Sequence, residues 1–255
     1  MTPGPGRLPI ATLSAQSLTE PPAVVGRSAV ATVVAELERI VFEESEIGAR
    51  LPSEGEIARS LAVSRLTVRE AIRNLHARGL VDISQGRRAV VAAPNSVPVG
   101  DFFETAVRRD PRSLLELLEI RQALEVHIAG VAAVRATRAN IDLLEAAVAA
   151  MRASVDQAER FHDADMQFHE ALAGATGNRL LSMLLESLAA PLRISRRRSY
   201  GGHLERRLPV SMAIDEHEAI LIAVRGGDAR AAAAGMRRHL RETERDLVAA
   251  LRHSF

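Results

Sequence analysis

The sequence predicts a mainly α-helical chain in two parts: a small winged helix-turn-helix domain, then an all-α helical bundle. Three observations predict this. The composition is helix-forming, for of the 255 residues 47% are hydrophobic, 25% charged and only 3% aromatic, and all 33 basic residues are arginine. Apolar residues recur at spacings of three and four along most of the chain after residue 28. Two short β-prone runs, Leu80 to Ile83 and Ala89 to Ala92, sit just before a stretch rich in Pro and Gly. The length itself favours two domains over one.

The elements follow in order. Residues 1–26 hold Pro3, Pro5, Pro9, Pro21 and Pro22 among small and polar residues and predict a flexible leader. From Ser28 to about Glu44, Val30, Val33, Val34, Leu37 and Val41 share one helical face. Ser53 and Glu56 form a capping box that opens a second helix, which runs to about Leu61. After a break at Ala62-Val63, Ser64 caps a third helix to about Arg78, and Gly79 stops it. The β-prone runs then pair as a hairpin whose tip, Ser84 to Arg88, is basic. Helix, helix, turn, helix, hairpin is the order of a winged helix-turn-helix, assigned to 27–93.

Pro94, Asn95, Pro98 and Gly100 mark a linker over 94–100. Residues 101–255 predict an all-helical domain, with helices near 101–109, 113–136, 139–154, 157–173, 178–199, 211–225 and 228–252. Its breaks fall at Pro111, Gly174/Gly177, Gly201/Gly202 and Gly226/Gly227.

Composition also excludes. With no cysteine there is no disulfide framework, no thiolate metal site and no cysteine nucleophile, and a cytoplasmic protein is the simplest fit. No apolar run approaches the ~18 residues a membrane span needs, so no membrane partner is expected. The net charge of +1 rules out a uniformly basic nucleic-acid coat, so DNA binding must come from a local patch.

Such a patch exists. From Ser64 to Ala92, Arg65, Arg69, Arg73, Arg78, Arg87 and Arg88 stand against only Glu70 and Asp82. Arg65 and Arg69 are four apart, so both can face a major groove, where a guanidinium fork matches a guanine edge. Ser64 and Thr67 lie where a hydroxyl and the helix N-terminus can meet phosphate. At the hairpin tip Gly86 allows close approach to the DNA backbone, and Arg87 with Arg88 supplies charge. A solvated arginine face is the plain alternative, and the capping box, turn and basic hairpin together weigh against it.

These residues also carry a resemblance. L-P-S-E at Leu51 to Glu54, V-S-R-L-T-V-R-E-A at Val63 to Ala71 and L-H-A-R-G-L-V at Leu75 to Val81 resemble the GntR family of bacterial transcription regulators, over residues 28–92. The resemblance implies that the helix opened by Ser64 is the recognition helix, with Ser64, Arg65, Thr67 and Arg69 contacting DNA and Gly86 doing so from the wing. The sequence departs from the family at Gly55, where an arginine that often contacts bases is usual, with Arg59 and Arg50 as candidate replacements.

In the second half, Asp165 and His169 are four apart on one helical face, His217 follows Glu216 on a later helix, and His239 lies on the last. Imidazoles and a carboxylate are a ligand set for zinc, nickel or manganese, which three helices of a bundle can bring together. The same residues also read as ordinary polar side chains with hydrogen-bond partners.

Here too a family pattern emerges. Arg121 and Glu125 in E-I-R-Q-A-L-E, Asp165 with Phe168-His169, Gly177-Asn178, Glu216-His217 and Gly227-Asp228 with His239 resemble the FCD ligand-binding domain of the FadR subfamily, over roughly residues 108–252. The resemblance implies a divalent metal, zinc first and nickel or manganese next, on Asp165, His169, His217 and His239, with coordination positions open to an effector. It implies an effector carboxylate on Arg121, for which a guanidinium fork is suited. Asn178 is either a further effector contact or a helix cap. His162 matches no ligand and reads as a satisfied polar residue, and Arg196, Arg197 and Arg198 read as a solvated run, with contact to effector or DNA as the alternative.

The function expected is therefore a transcription regulator, acting as a repressor, that binds a palindromic operator as a homodimer and responds to a small organic acid at a metal site. No catalytic residue is assigned. An acyl-CoA or other non-metal effector is the alternative. A metal-dependent hydrolase with an accessory DNA-binding domain is a minor one, weakened because His169-Glu170 is followed by Ala173 where the zinc-protease motif needs its second histidine.

Overall fold

In a computed structural model, which describes residues 28–110 and 112–252, the chain divides into two compact units between Asn95 and Ser96. The expected leader over 1–26 and the expected break at Pro111 lie outside the described residues.

In the N-terminal unit Ser28 caps α1 (Ala29–Arg39), which continues into a π-helical turn, Ile40–Glu44. The capping box of Ser53 and Glu56 opens α2 (Glu54–Ser60), and Ser64 caps α3 (Arg65–Ala77). Gly79, at φ +72°, ends α3 as its position requires, with its N–H donating to His76 O and that of Leu80 to Leu75 O. The hairpin is shorter than the β-prone runs predicted: β1 (Val81–Asp82) pairs antiparallel with β2 (Val90–Val91). Its second strand has another neighbour, because the backbone of residues 48–51 bonds to Ala89 and Val91. Val33, Leu37, Leu51, Val68, Leu75 and Val81 fill the core beneath.

The second unit is all helix among its described residues. Its first helix, α4 (Val97–Arg109), begins inside the stretch expected to be linker. Pro98 stands in its first turn, where no amide hydrogen bond is lost and φ is already helical. Then come α5 (Ser113–Arg135), α6 (Arg138–Ala153) and α7 (Ala158–Ala175). The single helix expected over 178–199 is two, α8 (Arg179–Ser187) and α9 (Ala189–Glu205). Pro191 explains this: inside a continuous helix it would lose a hydrogen bond and clash one turn back, whereas in the first turn of α9 it does neither. The break expected at Gly201/Gly202 is absent, and α9 runs through both glycines. The last helices are α10 (Val210–Arg225) and α11 (Ala229–Leu251).

α5 is the centre of this bundle, packed against α7, α10 and α11. Its buried stripe runs Leu114, Leu117, Leu118, Arg121, Glu125, Ile128, Ala129 and Ala132. A charged pair thus occupies the middle of an otherwise apolar face, and the site is built around it.

Candidate metal centre and nucleic-acid interface

Asp165 and His169 come from one face of α7, His217 from α10 and His239 from α11, all four buried. One ligand atom from each lies within 4.8 Å of the others. His217 Nε2 is 3.0 Å from Asp165 Oδ1 and 3.4 Å from His169 Nε2. The far nitrogens are each tied to an oxygen. Nδ1 of His217 is 2.7 Å from Ala213 O, a pure acceptor, so it donates there. His169 Nδ1 meets Glu125 Oε2, and His239 Nδ1 lies 3.0 Å from Glu216 Oε2. With each ring singly protonated at Nδ1, the Nε2 lone pairs of His169 and His217 face each other and the Asp165 carboxylate. Lone pairs so placed repel unless a cation joins them, and ring nitrogens tied from behind are the usual support of metal-ligating histidines.

Protonation favours the same occupant. Burial holds the His169 imidazole down at about 4, and burial, reinforced by His217, holds His239 well below its ordinary value. Burial pushes the Asp165 carboxyl up, but the Arg196 guanidinium beside it outweighs this and the group sits well below the usual carboxylate range. Burial likewise acts against Glu125, where Arg121 and His169 overcome it. At neutral pH His169 and His239 are neutral imidazoles and Asp165 is an ionised carboxylate, the forms that bind a metal. The residues present fit a divalent ion with N/O ligands.

Beside the cluster lies a cavity of about 60 Å³ lined by Arg121, His162, Asp165, Arg196, Tyr200, His217 and His239, among others. Arg121 is 1% exposed; its Nε donates to Glu125 Oε1 at 2.6 Å, while Nη1 and Nη2 have no partner among the described residues. The arginine run expected to be solvated is not uniformly so. Arg197 and Arg198 are exposed, but Arg196 is buried, its Nε against Asp165 Oδ2 and its Nη1 2.7 Å from Met166 Sδ. Three successive helical positions span about 200°, and α9 is packed along one side, so one of the three must turn inward. Asn178 is exposed and caps α8 by accepting from the N–H groups of Leu180 and Leu181, the helix-cap alternative read from the sequence. His162 is buried at the cavity wall against the edge of Tyr200. Glu216, which holds His239 from the rim, has its carboxyl pushed up to about 7 by burial.

In the N-terminal unit Arg65, Arg69, Arg87 and Gly86 are exposed around one basic surface, with Arg65, Gly86 and Arg87 lining a shared groove. Ser64 and Thr67 are engaged with each other: Ser64 Oγ accepts the Thr67 N–H at 3.1 Å and lies 2.8 Å from its hydroxyl. Arg69 is bound by Glu54, at 2.8 Å through Nη2, and that hydrogen bond lowers the Glu54 carboxyl. Glu54 is a member of this surface that the motif alone did not single out. A Cβ at Gly55 would stand 3.2 Å from the Arg65 guanidinium, the flexible end of an exposed side chain. Gly86, at φ +71°, forms the wing tip with no atom near a prospective side chain, so its glycine serves the turn.

Comparison with known proteins completes this picture. The profile of "Bacterial regulatory proteins, gntR family" matches residues 29–91, and that of the FCD domain residues 116–242. The HTH-type transcriptional regulator LutR of Bacillus subtilis (strain 168) is 32% identical over 202 residues, covering 79% of this chain and 92% of that protein. The Galactonate operon transcriptional repressor of Escherichia coli (strain K12) is 31% identical, covering 76% and 86%. The HTH-type transcriptional repressor NanR of Citrobacter rodentium (strain ICC168) is 32% identical, covering 86% and 89%. Among solved structures, Streptococcus agalactiae GntR superposes with a TM-score of 0.63 at 27% identity, covering 85% of this chain and 99% of that one. With a helix-turn-helix opening on Ser64 and a second unit built around Arg121 and Glu125, the chain belongs to the GntR family of bacterial regulatory proteins: it is a DNA-binding transcription regulator with an FCD domain, and not an enzyme.

Proposed function

We propose that this regulator is a repressor that binds a palindromic operator as a homodimer and releases it when a small organic acid enters the cavity of the second unit. The observation that carries this reading is the meeting of three lone-pair donors, His169 Nε2, His217 Nε2 and Asp165 Oδ1, beside the unpaired N–H groups of Arg121.

Asp165, His169, His217 and His239 would hold a divalent ion, zinc first and nickel or manganese next. When bound, such an ion supplies a Lewis-acidic centre with positions open to an oxygen ligand. Arg121 orients a carboxylate through its free Nη1 and Nη2. Glu125 keeps Arg121 in place and ties His169 from behind, so effector and metal ligands share one support. The cavity of about 60 Å³, a few times the ~10–15 Å³ one water requires, suits a short acid and speaks against an acyl-CoA.

On the DNA side, Arg65 and Arg69 read base edges while Ser64 and Thr67 shape the helix start and meet phosphate. Gly86 and Arg87 approach the backbone from the wing. Two copies presenting α3 read two half-sites, so the operator is a palindrome. The Arg69–Glu54 pair keeps the guanidinium extended until a guanine competes for it.

The test is an operator-binding assay of the metal-loaded protein titrated with short hydroxy- and dicarboxylates. At least one acid should weaken operator binding, and the same acid should bind the free protein more tightly than the complex by the same factor. An acid that binds equally well with and without operator contradicts the coupling.

A further inference from the structure

Leu66 is the second residue of α3 and is 62% exposed. The helix buries Val68, Ala71, Ile72 and Leu75, and nine residues at about 100° each set Leu66 opposite Leu75. It therefore stands at the middle of the outer face. The other exposed residues of α3 are Arg65, Arg69, Glu70, Arg73, Asn74, His76 and Ala77, so Leu66 is the one large apolar side chain that the helix turns to solvent. Arg69, Glu70 and Arg73, three, four and seven residues on, share its face.

Helix formation does not ask for leucine here, since Arg, Glu and Gln are comparable helix formers. Nor does the core, from which the side chain points away. A leucine scattered on an ordinary surface needs no account. This one lies beside guanidiniums in the first turn of the second helix of a helix-turn-helix, the turn from which base edges are reached. Among the base edges of the major groove the one apolar group is the C5 methyl of thymine.

We propose that Leu66 is a specificity-determining residue that packs on a thymine methyl beside the bases read by Arg65 and Arg69. This rests on the reading above in which α3 enters the major groove, and it adds a required thymine to each half-site.

The test takes the full chain with an operator that it selects from a pool of random duplexes. Each thymine is replaced in turn by deoxyuridine, which keeps the hydrogen-bonding edge and removes only the methyl. Wild type is expected to lose about fourfold in affinity at one thymine of each half-site, and roughly tenfold or more when both are changed. Leu66→Ala, checked to unfold at the wild-type temperature, is expected to bind the thymine and uracil duplexes equally. If no thymine is sensitive, or if the sensitivity survives in Leu66→Ala, the proposal is overturned. The double variant Arg65→Gln/Arg69→Gln separates it from the reading beneath: operator binding weakened by that change keeps α3 in the groove, whereas binding left unchanged takes both away.

Discussion

Glu125 ties the two halves of the buried site together. Its Oε1 accepts from Arg121 at 2.6 Å and its Oε2 meets His169 Nδ1, all three side chains being no more than 2% exposed. Removing one member of such a set leaves a buried charge without its partner, which costs about 3–5 kcal/mol. Glu125→Ala should lose stability on that scale in urea unfolding, and a loss within the range of an ordinary surface substitution would contradict the pairing. A second consequence concerns pH. His169 is buried neutral with its pKa held at about 4 against an ordinary 6.5. Between those values the unfolded imidazole takes up a proton that the folded one refuses, so stability falls as the pH drops through the window. Metal-free His169→Asn should lose less stability than metal-free wild type over that range, measured by urea melts at several pH values; equal losses would show that His169 carries none of the slope. At this scale the sequence was informative where spacing alone brings groups together, as for Asp165 and His169. It misled for Arg196, because the direction of a side chain within an arginine run is set by which side of α9 is packed. Arg121 and Glu125 were singled out only through the family resemblance, and the link of Glu125 to His169 joins two helices and is a tertiary fact.

The helices themselves followed from caps and periodicity wherever a local signal decided the matter. Ser53, Ser64 and Gly79 place their boundaries as expected because capping depends on residues within one turn. Gly201 and Gly202 did not break α9, and their surroundings tell why. A Cβ on Gly202 would stand 1.8 Å from the carbonyl oxygen of Asp246, whereas one on Gly201 would meet nothing within 4 Å. The second glycine is therefore a contact between α9 and α11, and local propensity yields to that packing. Gly202→Ala should destabilise by at least the ~1–3 kcal/mol of an overpacked core, because the obstructing atom is backbone. Gly201→Ala should be neutral or stabilising by up to about 1 kcal/mol. Thermal unfolding of the two variants checks both, and a Gly202→Ala protein as stable as wild type would refute the close approach.

For the whole molecule, the division of labour follows from where charge and burial are placed. The net charge is only +1, yet Arg65, Arg69, Arg87 and Arg88 are gathered on the exposed surface of the small unit. The large unit instead buries its distinctive charges, and it does so around donors whose lone pairs converge. A buried cluster of this kind is unfavourable unless something completes it, and that is the claim on which the functional account depends. The most direct measurement is the divalent metal content of purified wild-type protein and of His217→Ala, each after reconstitution with zinc and removal of excess. The account predicts about one ion per chain in wild type and its loss in the variant, with the variant still folded by circular dichroism. A folded wild-type protein that takes up no divalent ion, or a His217→Ala protein that retains it fully, would contradict the account.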